Sequence, residues 1–207
     1  MAPSNKLKRK RPMHDELADK SSISGRRAPH FSAPNEMVTF LIGKAGSEEP
    51  FSVHKEFACY YSPVLKAAFD SSFIEGQTQI YRLEDVNSIA FRLFVQWLYS
   101  QKIDLIQNDS ENGNETIFQK ARIHAVPVPL IKAWRDQDLD LAQLWVIGDR
   151  LLIPRLQNAV MMAWHSLWTD PDTDRHCSTK WVRYAYEHTC EGSPLRNLAV
   201  DQLMYSV

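Results

Sequence analysis

The sequence predicts an α+β fold: a small mixed sheet flanked by a cluster of helices, with a helical extension at the C-terminal end. Three observations carry that prediction. Two short apolar runs, MVTFLI (37–42) and FSVH (51–54), are separated by the turn-forming GKAGSEEP and read as a hairpin. A Ser-Pro step at residues 62–63 divides the next stretch into two short helices. The strand-like QIYRL and KIDLI then lie on either side of a long apolar helix, SIAFRLFVQWLYS.

Each element follows from its residues. The first helical piece starts after His54, and the break between it and the next falls between Cys59 and Ser62. Ser62 is a good N-cap, and Pro63 is tolerated in a first turn because its missing N–H would have no partner there. Val64, Leu65, Ala68 and Phe69 then form one buried stripe over Pro63–Phe69. Ile80 and Arg82 alternate with Tyr81 and Leu83, as in a strand. Asp85 or Asn87 can cap residues 88–100, a helix apolar on nearly every face and therefore expected in the middle of the domain, with Trp97 deeply buried.

Composition changes after KIDLI. The polar QNDSENGNE and a stretch interrupted by Pro127 and Pro129 read as an insertion over about 107–137. Helix resumes with Asp138 or Asp140 as cap, and Leu141, Leu144, Trp145, Gly148, Leu151 and Leu152 recur at helical spacing. Pro154 ends that helix or opens the next, RLQNAVMMAWHSLW, and two further helices fit residues 169–207. The expected organisation is a disordered basic tail (1–35), a domain over 36–168 and a C-terminal helical extension over 169–207.

Length and charge restrict the function. A chain of 207 residues holds one full domain with extensions. Residues 1–36 carry eight Lys/Arg against four acids, net +4, and the remainder carries 16 bases against 21 acids, net -5. A basic tail on an acidic body argues against a nucleic-acid-binding globular face. No run of 18 apolar residues is present, so no membrane span is expected. Three sparse cysteines, Cys59, Cys177 and Cys190, fit a reducing intracellular compartment, nucleus or cytoplasm. Lys6, Lys8, Arg9, Lys10 and Arg11 resemble a monopartite nuclear-import signal.

Three blocks in order resemble the BTB/POZ domain. FSVHKEFACYYSPVLKAAF has an apolar strand ending in His54, then the Ser62-Pro63 step and a helix ending in Phe. YRLEDVNSIAFRLFVQWLYSQKI is similar to the next block, with Trp97 in its Trp-Leu-Tyr run. LWVIGDRLLIPRLQNAVM is similar to the third, with Asp149, Leu152, Pro154 and Leu156 in place. The resemblance spans about residues 36–106 and 138–165, and its style is similar to that of fungal single-domain BTB proteins. It implies a non-catalytic protein–protein interaction module mediating homo- or hetero-oligomeric assembly, with no cofactor. In cullin-type ubiquitin ligase adaptors of that family, the loop after the second helix carries a hydrophobic-x-Glu motif, and Phe73-Ile74-Glu75 matches it. The resemblance therefore also admits a cullin as partner. Otherwise Phe73 closes the core.

Catalytic and metal readings are weaker. His54 and Cys59 would make a base–nucleophile pair only within hydrogen-bond reach. Five residues of helix turn them about 140° apart, so His54 is read as bonding backbone at the strand–helix junction. His176, Cys177, His188 and Cys190 have zinc-ligand chemistry. A continuous helix, however, would separate the two cysteines by roughly 20 Å, and Trp181, Tyr184 and Ala185 suit a core-facing stripe. GKAGS lacks the order of a phosphate loop and is followed by a strand, and no other catalytic motif appears.

Overall fold

The computed structural model describes residues 29–103, 105, 128–169 and 179–205. Strands β1 (Met37–Ile42) and β2 (Glu49–His54) form the hairpin, and β3 (Ile80–Leu83) completes a sheet of order β2-β1-β3. The sheet is mixed. Antiparallel pairing sets Val38 opposite Val53 and Phe40 opposite Phe51, while β3 runs parallel to β1 with Tyr81 beside Phe40. The parallel pair needs a crossover, and that connection contains α1 (Lys55–Tyr61), α2 (Pro63–Phe69) and α3 (Ile74–Thr78). Then come α4 (Ser88–Ser100), α5 (Val128–Arg150), α6 (Pro154–Thr169), α7 (Thr179–His188) and α8 (Pro194–Tyr205).

Local chemistry sets the sharpest boundaries. The Ser62 hydroxyl accepts from the Leu65 N–H at 3.0 Å, capping α2, and donates to the Leu151 carbonyl at 2.7 Å. One fully buried oxygen thus starts a helix and ties it to the end of α5. Ser62→Ala removes a cap and strands a buried carbonyl, two losses that together cost about 1–3 kcal/mol. A urea melt should show the lower midpoint with unchanged slope. An unshifted midpoint would mean that the bond to α5 contributes nothing. Asn87, not Asp85, caps α4, accepting from the Ala90 N–H at 2.7 Å. Asp85 instead forms a two-point pair with Arg150, at 2.7 and 2.5 Å.

The core continues from the sheet into the helices. Phe40 packs against Phe91 at 5.0 Å and Phe69 at 6.0 Å, and Trp97 reaches Tyr61 at 5.1 Å. The same core joins α6 to α7 through Trp164 and Trp181, 4.8 Å apart. At Gly148 an added Cβ would lie 3.0 Å from Gln157 Cγ, so its bare backbone lets the start of α6 close onto α5.

Several expectations are corrected. Helix α5 starts at Val128, with Pro129 tolerated in its first turn, so Asp138 and Asp140 lie in its interior and cap nothing. Their carboxylates serve tertiary bonds, Asp138 accepting from Trp164 Nε1 at 3.2 Å and Asp140 from Asn87 Nδ2 at 2.8 Å. Burial raises the Asp140 pKa, against the opposing Asn87 bond. Leu152 leaves the buried stripe: it is exposed and left-handed (φ 52°), forming the turn before Pro154. In KIDLI, Lys102, Ile103 and Leu105 form no strand, although Leu105 is buried. Helix α4 is buried on one face only, leaving Ile89 and Tyr99 exposed.

Candidate protein-docking site

The end of α2 and the whole of α3 form the best candidate surface. Asp70 ends α2, its carboxylate 2.6 Å from the Lys66 ammonium and 3.3 Å from that of Lys55. The hydrogen bond from Lys66, followed by that from Lys55, holds its pKa below the usual value. The chain then turns sharply. The Ser71 hydroxyl donates to the Ala68 carbonyl at 2.8 Å and accepts from the Phe73 N–H at 3.1 Å. Gln77 Nε2 donates to the Ser72 carbonyl at 2.7 Å.

Gly76 and Gln79 fix how closely α3 sits on that turn. A Cβ at Gly76 would fall 1.9 Å from the Ser71 carbonyl oxygen, so any other residue must push α3 away. Gln79 takes the left-handed conformation (φ 55°) that stops the helix. Its side-chain amide donates to the Phe69 carbonyl at 3.1 Å and to the Gly76 carbonyl at 2.5 Å. A helix of five residues cannot hold itself together in water; these tertiary bonds hold it.

The consequence is two large apolar side chains in solvent. Phe73 is 74% exposed and Ile74 is 65% exposed, with Glu75 half-buried beside them. Phe73 therefore does not close the core, the alternative the sequence leaves open. Burial, and after it the nearby Glu75 carboxylate, raises the Tyr81 pKa.

The other sequence-selected residues are structural. His54 Nδ1 lies 2.8 Å from the Tyr99 hydroxyl, which also accepts from the His54 backbone N–H at 3.0 Å. Its imidazole thus bonds a side chain 45 positions away, not neighbouring backbone. Cys59 packs half-buried against the core, and burial pushes its thiol pKa up, away from the thiolate a nucleophile needs. Pro63 opens α2, Trp97 is 1% exposed, and Pro154 opens α6. Asp149 is exposed and accepts from Gln157 Nε2 at 3.1 Å.

Lys6, Lys8, Arg9, Lys10 and Arg11, like His176 and Cys177, lie outside the described residues. His188 stacks on Tyr184 with centroids 3.9 Å apart, and Cys190 is exposed. Burial raises the Tyr184 pKa to about 12. Among the described residues no group of acidic, His and Cys side chains is arranged to hold a metal, and no helix is long and apolar enough to cross a membrane.

One contact has no local signal in the sequence. Glu56, on α1, accepts from the Ser32 N–H at 3.0 and 3.1 Å, the Ser32 hydroxyl at 2.6 Å and the Ala33 N–H at 3.2 Å. Packing thus begins before Met37. The Ser32 side-chain hydrogen bond contributes most to lowering the Glu56 pKa from its ordinary 4.5, so the carboxylate form favours the bound segment. The contact is complete above that ordinary value and is lost as pH falls through the lower value of the folded chain. The protection of the Ser32 and Ala33 amides, relative to the intrinsic exchange rate at each pH, should therefore fall selectively as the pH drops below the ordinary carboxylate range. Protection of both amides unchanged into strong acid would show that Glu56 does not hold them.

Residues 37–128 match the family model of the BTB/POZ domain. BTB/POZ domain-containing protein 6 of Xenopus tropicalis is 35% identical over 68 residues, and that of Xenopus laevis is 34% identical over 68 residues. The matched stretch covers 33% of this chain and 13% of each relative's length.

Proposed function

We propose that the chain is a non-catalytic protein–protein interaction module of the BTB/POZ type, a reading the match of residues 37–128 to that family's model supports, and that its docking element is α3. The exposure of Phe73 and Ile74 on a helix fixed by Gly76 and Gln79 carries this reading. A ring held out in solvent on a fixed backbone loses little entropy on binding and offers a large area to bury. Beside Glu75 it matches the hydrophobic-x-Glu form, and a cullin N-terminal domain is the partner it fits. The chain then serves as an adaptor of a cullin-type ubiquitin ligase.

Glu75→Lys tests the electrostatic half. It reverses a charge at a half-buried position beside Tyr81. Retention on an immobilised cullin N-terminal domain should drop severalfold while the thermal midpoint stays put. Equal retention would remove Glu75 from the site.

Homo- or hetero-oligomeric assembly is the second reading, favoured by further exposed apolar side chains such as Met162 and Met204. Sedimentation velocity separates the two. A concentration-dependent dimer that Phe73→Ala leaves intact supports assembly through another face. The division into a domain over 36–168 with an insertion over 107–137 and an extension over 169–207 belongs to this proposal, as does the single-domain fungal form; of the disordered tail expected over 1–35, residues 31–33 are instead packed on α1. Nuclear import through Lys6–Arg11 belongs to the proposal as well: neutralising Lys8–Arg11 should move a tagged chain out of the nucleus.

A further inference from the structure

The segment Phe31-Ser32-Ala33 lies across the start of α1 in a cradle that reads its chemistry at two points. Phe31 meets His54 edge-on at 4.8 Å and lies tilted against Phe57 at 4.9 Å. Phe57 is itself backed by Tyr99 at 4.9 Å, whose hydroxyl fixes His54. The Glu56 carboxylate gathers two consecutive backbone N–H groups and the Ser32 hydroxyl. Such charge-assisted bonds select a bent backbone whose two successive N–H groups converge on one carboxylate beside a hydroxyl, and the rings select an aromatic residue before it.

The strap is lightly held. Phe31 remains 56% exposed and Ser32 is exposed, whereas Phe57 beneath them is only 6% exposed. The strap turns back on itself through the Ser32 N–H to the His30 carbonyl (2.7 Å) and the Glu36 N–H to Ala33 (3.0 Å). The Lys55 N–H donates to the Glu36 carbonyl at 2.9 Å, so the chain beyond the cradle stays attached when residues 31–33 leave.

We propose that the cradle of His54, Glu56, Phe57 and Tyr99 is a recognition site for a short, tightly turned segment carrying an aromatic residue followed by a hydroxyl residue. In this chain its own Phe31 and Ser32 occupy the site in cis, and a partner protein's segment of the same form takes their place when the strap detaches. The site is separate from α3 and holds whether or not α3 docks a cullin. A tethered strap competes at an effective concentration in the millimolar range, so a free segment binds weakly until the strap is disabled.

The test uses the full chain and a fluorescein-labelled peptide of residues 29–36. Replacing Phe31→Ala with Ser32→Pro removes the ring and one N–H from the strap; Phe31→Ala with Ser32→Gly is the milder pair should proline disturb folding. Anisotropy titration should show the peptide binding the strap-disabled chain at least tenfold more tightly than the wild type. Adding Glu56→Gln to the disabled chain, or Phe31→Ala to the peptide, should abolish that gain. Equal affinity for the wild-type and disabled chains, or a gain that survives Glu56→Gln, would overturn the proposal. So would a wild-type dimer that Phe31→Ala dissociates, since a second copy's strap would then fill the cradle.

Discussion

Trp97→Ala is expected to cost about 3–5 kcal/mol, the range for truncating a fully buried large aromatic. Trp97 is 1% exposed and belongs to the continuous buried face of α4, with Ala90, Phe91, Phe94 and Leu98. Its ring meets Tyr61 of α1, so the void would open where α4 packs against the crossover helices. Domains of ordinary stability have about 5–15 kcal/mol in total, and the loss takes a large share of that. A thermal melt should show a midpoint many degrees lower, or no soluble protein. An unshifted melt would mean that α4 is not central to the core.

Phe73→Ala is the second large effect, and it acts on binding. The side chain is 74% exposed and packs nothing essential, so folding should be indifferent to its loss. If it fills a pocket on a partner, truncation should cost about 2 kcal/mol or more, a roughly 30-fold weaker complex. The two substitutions are therefore opposites. Both remove a large aromatic ring, and burial decides whether stability or affinity suffers.

The sequence makes legible what local chemistry controls. Ser62-Pro63 sets the start of α2, Asn87 the start of α4, an apolar run bounded by turn residues the strand β1, and alternation the strand β3. Features that depend on distant residues are not legible. The aspartates of α5 look like caps because Asp is a common cap, yet their partners, Trp164 and Asn87, are 26 and 53 positions away. His54 finds Tyr99, 45 positions on, and Glu56 finds Ser32, 24 positions back. The apolar composition of α4 suggests burial all round, but a three-stranded sheet covers too little of it to do so.

At the docking site the division is similar. Phe73-Ile74-Glu75 is readable as a motif, but nothing in those three residues distinguishes a ring that closes the core from one held out in solvent. The deciding contact is between Gly76 and Ser71, a backbone approach too close for any side chain. A glycine directly after Ile-Glu is the one trace of it in the sequence.

Calorimetric titration of the intact chain with a cullin N-terminal domain bears most directly on docking through α3. A saturable exothermic or endothermic signal with one site per chain is expected, weakened roughly 30-fold by Phe73→Ala, with the variant melting at the wild-type temperature. No heat from the wild-type chain at concentrations up to tens of micromolar, with Phe73→Ala lowering the melting temperature instead, would contradict it.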